Sequence, residues 1–412
     1  MCYYISTIKV NKLFHLQDLE IPISEKNPHL IITGKNGSGK TILIKAIADF
    51  LELVRTDNSL SYLQIEKNLQ YNENQLNMCK NPAEKLQYQK YVELWKNNYT
   101  KFFGKAYVEF IDVYKMAELI QKNEFIMAFY PAARKIPMLE PNNPLKPDLP
   151  KGTKVTDNLT DKFLFFLADL KVQEALARNE QQYQDADAIK VWFDEFERLL
   201  QNVYQDSNLR LIFNYKNYSF SIQTQNKEFK FTQMSDGFMA AIDIIADLIL
   251  KMQNGDSPTY SYQKKGIVLI DEIETHLHLG LQRIVMPLLT KLFPNIQFIV
   301  TTHSPFVLSS MENAVAYDLE HRSPIEDLTE YSYESLAEGY FGVRTDSSYM
   351  EMRLESLKQL LEKDHLNEVE QEEARNIIKD FENIPEAVSP LLVGEYMNLK
   401  IKYSETFNSL KK

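Results

Sequence analysis

A chain of 412 residues allows two or three domains at roughly 150 residues each, and its 44% apolar and 25% charged residues exclude wholesale disorder. Twelve glycines exclude collagen-like or glycine-rich repeats, and 46 Lys plus Arg against 57 Asp plus Glu exclude a globally basic nucleic-acid-coating protein, though not a local basic patch. Two cysteines, Cys2 and Cys79, are too few for a disulfide framework and fit a reducing cytosol. The opening MCYYISTIKVNK carries no leader pattern, and no run approaches 18 apolar residues. A cytoplasmic protein without membrane contact is expected.

Residues 1–33 read as short strands. Leu19, Ile21 and Ile23 alternate with Glu20, Pro22 and Ser24, and His29–Thr33 is an apolar strand running into a glycine-rich turn. Helical spacing of Ile42, Leu43, Ala46, Ile47, Phe50 and Leu51 predicts a helix over 40–54. A helical hairpin is expected over 59–103, broken at Asn81-Pro82. Strands follow at 106–113 and 125–130. Six of the sixteen prolines mark 131–152 as a loop. Residues 160–204 read as helical, 209–223 as a β-hairpin and 232–252 as a turn and helix. The strand Gly266–Ile270, a helix over 279–293 and the strand IQFIVTT come next. A short helix follows Ser304-Pro305, and from Tyr349 onward the chain is helical and acidic.

Four motifs carry chemistry. Gly34-Lys-Asn36-Gly37-Ser38-Gly39-Lys40-Thr41 matches G-x-x-x-x-G-K-[ST], between a strand and a helix as that motif requires. Its backbone N–H groups and the helix N-terminus suit phosphate oxygens. Lys40 is placed to reach the β- and γ-phosphates of ATP, and Thr41 to ligate Mg²⁺. Four apolar residues then lead into Asp271 and Glu272, at the strand end where open α/β sheets bind ligands. Asp271 would hold the Mg²⁺ shell, and Glu272 would orient or deprotonate the attacking water. His303 ends another apolar strand and can hydrogen-bond the γ-phosphate. Ser235 and Gly237 open the helix FMAAIDIIADLIL, which makes either an anion site or an ordinary Ser/Asp cap.

Together these motifs resemble the ABC-type ATPase heads of the SMC, Rad50, RecF and OLD group, over about 1–55 and 105–320. The resemblance implies that Ser235 and Gly237 contact the γ-phosphate bound to a second subunit, with two ATP sandwiched in a head-to-tail homodimer. The stretch Ile273-Glu-Thr-His276-Leu277-His278 departs from the Leu-Asp ending of the larger heads. It resembles instead the smaller ATPases of bacterial antiphage defence, OLD-like and Septu-type, including those encoded with retrons. Its two histidines, with no cysteine near, fall short of a zinc ligand set. Arg134, near the position of the family's glutamine loop, reads either as a phosphate or subunit contact or as a surface-loop residue.

The expected fold is therefore α/β: an ABC-type P-loop NTPase head over 1–58 and 104–345, a short helical-hairpin insertion over 59–103, and a helical docking or oligomerisation region over 346–412. About 45 inserted residues span roughly 35 Å per arm, too short for a coiled-coil arm of the SMC kind. Residues 80–105 carry six lysines against two glutamates, interleaved with Tyr88, Tyr91, Trp95, Tyr99, Phe102 and Phe103. That composition suits either a nucleic-acid or partner contact or the hairpin's own aromatic core. No Asp-x-Asp follows His303, so the metal-binding Toprim nuclease of OLD-like proteins is not expected. Tyr331–Gly342 and the acidic helices beyond it read as a docking module. The function expected is an ATP-binding and -hydrolysing switch. It would control a separate effector, an HNH or other nuclease or a toxin, and a retron reverse transcriptase–nucleic acid complex is a further partner to test. The alternative is a RecF-like DNA-repair ATPase with DNA-stimulated hydrolysis.

Overall fold

The computed structural model describes residues 3–26, 28–57, 59–134, 137–150, 152–253, 262–325, 348–363, 365–382 and 390–410. The chain divides into two compact units, Met1–Tyr333 and Glu334–Lys412. The expected boundary at 345–346 and the stretch 331–342 lie outside the described residues.

The first unit runs β1 (Ile5–Leu13), β2 (Leu16–Pro22), β3 (His29–Thr33), α1 (Lys40–Thr56), α2 (Ile65–Met78), α3 (Pro82–Phe103), β4 (Ala106–Phe110), α4 (Val113–Gln121) and β5 (Phe125–Tyr130). It continues with α5 (Phe163–Asn179), α6 (Tyr183–Tyr204), β6 (Arg210–Asn214), β7 (Ser219–Gln223), β8 (Glu228–Lys230), α7 (Asp236–Lys251) and β9 (Lys265–Ile270). Then come α8 (Leu279–Leu292), β10 (Ile296–Thr301), α9 (Pro305–Leu308), β11 (Ala314–Asp318) and β12 (Ser323–Ile325). The main sheet has the order β12-β11-β3-β10-β9-β5. It is parallel throughout except for the antiparallel β12 edge. Strands β3 and β10 are buried along their whole length, and β9 from Gly266 on, as parallel strands covered on both faces must be.

Helix α1 turns Leu43, Ile47, Phe50, Leu51 and Val54 into a core shared by the main sheet and a second, antiparallel sheet, β2-β1-β4. Gln297 of β10 helps join these layers. Its Oε1 accepts from Ile5 N at 2.8 Å, and its Nε2 donates to the carbonyls of Ile5 (3.0 Å) and Pro28 (2.8 Å). A fully buried amide thus acts as a strand partner, which explains a polar residue in an otherwise apolar run.

The hairpin α2–α3 breaks at Asn81-Pro82. Asn81 accepts from Ala83 N at 3.0 Å, and Pro82 occupies the first turn, where its missing N–H costs nothing. The aromatics divide by position. Trp95, Tyr99, Phe102 and Phe103 pack on the main core, with Phe102 stacked on Tyr62 at 5.6 Å. Tyr91, Leu86 and Leu94 are exposed.

Elements absent from the sequence reading are α4, β8, β11 and β12. The strand expected over 106–113 ends at Phe110, because Asp112 caps α4 through Lys115 N at 2.9 Å. The hairpin at 210–223 gains a third strand, β8, on β7.

The second unit holds α10 (Ser348–Leu361), α11 (Glu368–Glu382), α12 (Pro390–Lys402) and α13 (Ser404–Leu410). Leu354, Leu357, Leu360 and Leu361 face Ala374, Ile377, Ile378 and Phe381 in one core with Leu392, Tyr396, Phe407 and Leu410.

The register of β3 on β10 carries a titratable lock. His29 Nδ1 accepts from Phe298 N at 3.1 Å, and burial holds the imidazole down at about 4, against 6.5 when free. Below 6.5 the unfolded chain binds a proton that the folded chain refuses, so stability is complete above 6.5 and falls toward pH 4. That window is worth about 3 kcal/mol. His29→Asn keeps an acceptor at the Nδ1 position and cannot titrate there. Urea melts at pH 7 and 4.5 should show a smaller acid loss in the variant than in the wild type; equal losses would remove His29 as the cause.

Candidate functional site

The parallel strands place their C-terminal ends along one edge, and the motifs meet there. β3 leads into the phosphate loop, where Gly34, Gly37 and Gly39 have φ of +135°, +85° and +101°, a path L side chains rarely follow. A Cβ on Gly37 would meet nothing within 4 Å, so that part of the cradle is open. Asn36 and Ser38 lie within the loop, and Ser38 N donates to Lys35 O at 3.1 Å.

Lys40 opens α1 and is 5% exposed. Its ammonium donates to Gly34 O at 2.6 Å and Lys35 O at 3.1 Å, with Ser38 Oγ at 3.5 Å. Burial lowers it to about 8, while Glu274, Glu272, Asp271 and Asp318 pull the other way. Thr41 Oγ1 donates to Asp271 Oδ1 at 3.2 Å, joining the phosphate loop to the end of β9. The same Oδ1 accepts from Thr301 Oγ1 at 2.7 Å, and Thr301 Oγ1 in turn accepts from Glu272 N at 2.7 Å.

Glu272 has φ +45°, the left-handed region, and Thr275 Oγ1 donates to its Oε2 at 3.2 Å. A non-glycine residue held there stores strain that its surroundings must oppose. His303 is half-buried after β10. Burial first, and the Lys40 charge next, hold its imidazole below the usual range, against the pull of Glu272 and Asp271. The structure therefore brings Lys40, Thr41, Asp271, Glu272 and His303 to one locus.

Ser235 and Gly237 stand at the N-terminus of α7. The Ser235 side chain is exposed and makes no capping hydrogen bond, so the ordinary-cap alternative is not what the structure shows. Gly237 is buried, and a Cβ there would lie 2.5 Å from His276 O. Its smallness lets α7 close on the turn that follows Glu272. His278 caps α8, its Nδ1 accepting from Leu281 N at 3.3 Å.

Arg134 is not the surface-loop residue that one of its two readings expected. It is 8% exposed, and its guanidinium donates to the carbonyls of Asp271 (3.4 Å), Glu272 (3.1 Å) and Ile273 (3.4 Å). Three further groups were not singled out in the sequence. Glu274 accepts from Thr302 Oγ1 at 2.8 Å and from the His303 amide, and burial raises its carboxyl. The turn after β11 backs the phosphate loop: Leu319 N donates to Thr33 O at 2.9 Å, and Glu320 pairs with Lys35 at 3.1 Å. The β1–β2 turn touches the loop's other side through His15 Nε2, 2.9 Å from Ser38 O, with Phe14 exposed beside it at φ +55°. Only the Glu274 carboxylate carried a usable signal, as part of the acidic run after β9.

These groups fit a nucleoside triphosphate with Mg²⁺. A buried ammonium that donates only to carbonyl and hydroxyl oxygens matches phosphate, and a hydroxyl–carboxylate pair beside it matches a hard cation that keeps several waters. Fold and loop together define a P-loop NTPase with an ABC-type head.

Comparison with known proteins agrees. A family described as "AAA domain, putative AbiEii toxin, Type IV TA system" matches residues 141–309. The chain is 25% identical over 360 residues to the retron Vc95 probable ATPase of Vibrio cholerae serotype O1 biovar El Tor, covering 71% of this chain and 69% of that one. It is 40% identical over 94 residues to the retron Ec83 probable ATPase of Escherichia coli, covering 22% and 17%. To the Septu protein PtuA of Bacillus mycoides (strain KBAB4) it is 37% identical over 100 residues, covering 24% and 14%. The chain thus spans less than a fifth of the last two. An SMC head bound to the C-winged helix domain of ScpA aligns with 78% of this chain and 96% of that one, at 13% identity and a TM-score of 0.37. The chain is thus similar to retron probable ATPases and, over about a quarter of its length, to a Septu protein PtuA.

Thr301→Val removes the hydroxyl between Asp271 Oδ1 and Glu272 N and leaves the amide without its acceptor. A loss of about 1–3 kcal/mol of unfolding free energy is expected. Denaturant melts check it, and an unchanged midpoint would show that the hydroxyl carries no such role.

Proposed function

We propose that the chain is an ATP-binding and -hydrolysing switch subunit that dimerises around two ATP and governs a separate effector, a nuclease or toxin, in a bacterial antiphage system. The observation that carries the ATPase reading is the Thr41–Asp271 contact at 3.2 Å, which unites the phosphate loop with the acidic strand end. The retron and Septu relatives support the setting. Among the described residues no helix is long and apolar enough to cross a membrane.

In this reading Gly34, Asn36, Gly37, Ser38 and Gly39 wrap the phosphates and Lys40 neutralises the β- and γ-phosphoryl oxygens. Thr41 and Asp271 hold Mg²⁺, which supplies charge neutralisation on the transferring group. Glu272 would orient the water and take its proton as the water oxygen bonds the γ-phosphorus, while the bond from that phosphorus to the β–γ bridging oxygen breaks and ADP leaves. His303 hydrogen-bonds the γ-phosphate and registers its loss. Ser235, with its uncommitted hydroxyl, and the Gly237 backbone meet the γ-phosphate of the second subunit. The exposed lysines and Tyr91 of α3 support a nucleic-acid contact as well; hydrolysis stimulated severalfold by DNA would move the assignment toward a RecF-like repair ATPase.

Lys40→Ala should weaken ATP binding by at least about 100-fold, since it removes several charge-assisted hydrogen bonds; calorimetric titration with unchanged affinity would refute the phosphate site. Glu272→Gln should lower turnover on the order of 100- to 10,000-fold while ATP binding persists and dimers accumulate on size exclusion. Ser235→Arg should stop that accumulation. Hydrolysis strictly proportional to protein concentration at every dilution would rule out the two-subunit site.

A further inference from the structure

We propose that Arg134 is a positioning residue that ties the helix carrying Ser235 and Gly237 to the strained turn carrying Glu272. The inference rests on the reading of Glu272 and Ser235 given above and adds the link between them.

The turn side of the link is direct. Arg134 reaches three successive carbonyls, 271 to 273, and the middle one belongs to the residue at φ +45°. On the opposite side of the same peptides, Glu272 N is held by Thr301 Oγ1 and Ile273 N by Thr301 O at 3.1 Å. A strained backbone held by donors on one side and acceptors on the other is fixed in place, and its side chain with it. A planar guanidinium suits this task, because one group presents several donors in a rigid fork.

The helix side is a shared cavity wall with an electrostatic pull added to it: Arg134 lines one cavity with Asp236 and Met239 of α7. Arg134 is buried, and the first of the carboxylates favouring its charge is Asp243, two turns into α7. Asp243 is itself buried, 3% exposed, and bonded by Asn158 Nδ2 at 3.2 Å. Among the described residues, Arg134 Nε and Asp243 Oδ1 are both buried without a hydrogen-bond partner. Burial works against the charge on both, and each supports the other. Gly237, packed under His276 O, adds a steric contact between the same helix and the same turn. A shift of α7 when Ser235 engages the nucleotide of a second subunit is therefore felt at Glu272 of its own subunit. The consequence is that hydrolysis waits for the pair to close.

The cavity that Arg134 lines with Asp236 and Met239 measures about 260 Å³ and is lined also by Pro137, Met138, Thr232 and His276. A small cation can thus enter the space that a truncated side chain leaves, and this gives the experiment. Full-length wild type, Arg134→Ala, Arg134→Lys and Asp243→Asn are compared in ATP affinity, kcat and KM, with and without guanidinium at low millimolar concentration. Wild-type ATP binding and hydrolysis are measured first, and their absence would refute the function proposed above rather than this link. Arg134→Ala should lose about 100-fold in kcat, as a misplaced catalytic group does, with ATP affinity within threefold. Guanidinium should restore at least tenfold of that loss, and should do nothing for Glu272→Gln. Adding Arg134→Ala to Glu272→Gln should cost almost nothing further, since both act on one group. Arg134→Lys, which keeps the charge but not the fork, should retain affinity and lose turnover, and it stands in if the alanine variant does not fold. Asp243→Asn should lose turnover without losing ATP-dependent dimerisation. Wild-type kcat in Arg134→Lys or Asp243→Asn, or equal losses of kcat and affinity with no guanidinium rescue, would overturn the proposal.

Discussion

The site is organised by one buried carboxylate. Asp271 is 1% exposed at the end of a central parallel strand, and its Oδ1 accepts from two hydroxyls, one on each neighbouring segment. A carboxylate so placed is costly to fold around unless it is fully bonded. The register that satisfies it is specific. Asp271 N donates to Tyr130 O on one side, Thr301 lies on the other, and β3 must lie one strand further for Thr41 to arrive. Shifting β10 by one residue would put Val300 or Thr302 in the place of Thr301, and shifting β3 with the loop behind it would put Lys40 or Ile42 in the place of Thr41. The polar side chains that lock the register, Gln297 to Ile5 and His29 to Phe298, lie toward the opposite ends of the same strands. The sheet is thus pinned at one edge by buried amide and imidazole groups, and its site edge inherits the alignment.

How much of this was legible follows from the range of each interaction. The phosphate loop, β9 and β10 could be read because their signals are local: glycines at fixed spacing, and apolar runs ending in a polar residue. Helix α4 was missed because nine residues give barely two turns of periodicity, and its start depends on the Asp112 cap. Strand β8 has three residues and exists through its pairing with β7. For Arg134 the sequence left two readings open and gave no sign of its carbonyl partners. Those partners lie 137 to 139 residues away, and nothing in Phe129-Tyr-Pro-Ala-Ala-Arg134 encodes that distance. Gln297 was visible within its strand but not explicable, since its partner is the first strand of the chain.

Helix α7 shows how one residue can have a structural use that its sequence context does not announce. The resemblance implied that Gly237 contacts the γ-phosphate bound to a second subunit. The structure shows it leaving room for His276 O within its own chain. These uses are compatible, because a residue without a side chain lets α7 pack closely on that turn and leaves its own backbone N–H in place. Ser235 differs. Its side chain is exposed and makes no capping hydrogen bond.

The second unit changes the argument about an output. The apolar stripes of α10 and α11 looked like surplus surface in the sequence, and surplus surface suggests a partner. In the structure the stripes face each other and close one core with α12 and α13. They hold the unit together and leave nothing of themselves to offer. Outside this core Tyr349, Met352, Val369, Met397 and Ile401 are exposed. Val369 stands among Glu368, Glu370, Glu372 and Glu373. An apolar residue within an acidic helix start favours a basic, partly apolar counterpart over an acidic or purely lipid one. Coupling to an effector would then rest on a few exposed side chains of a preformed unit, and it would be sensitive to salt in a way that a buried stripe would not.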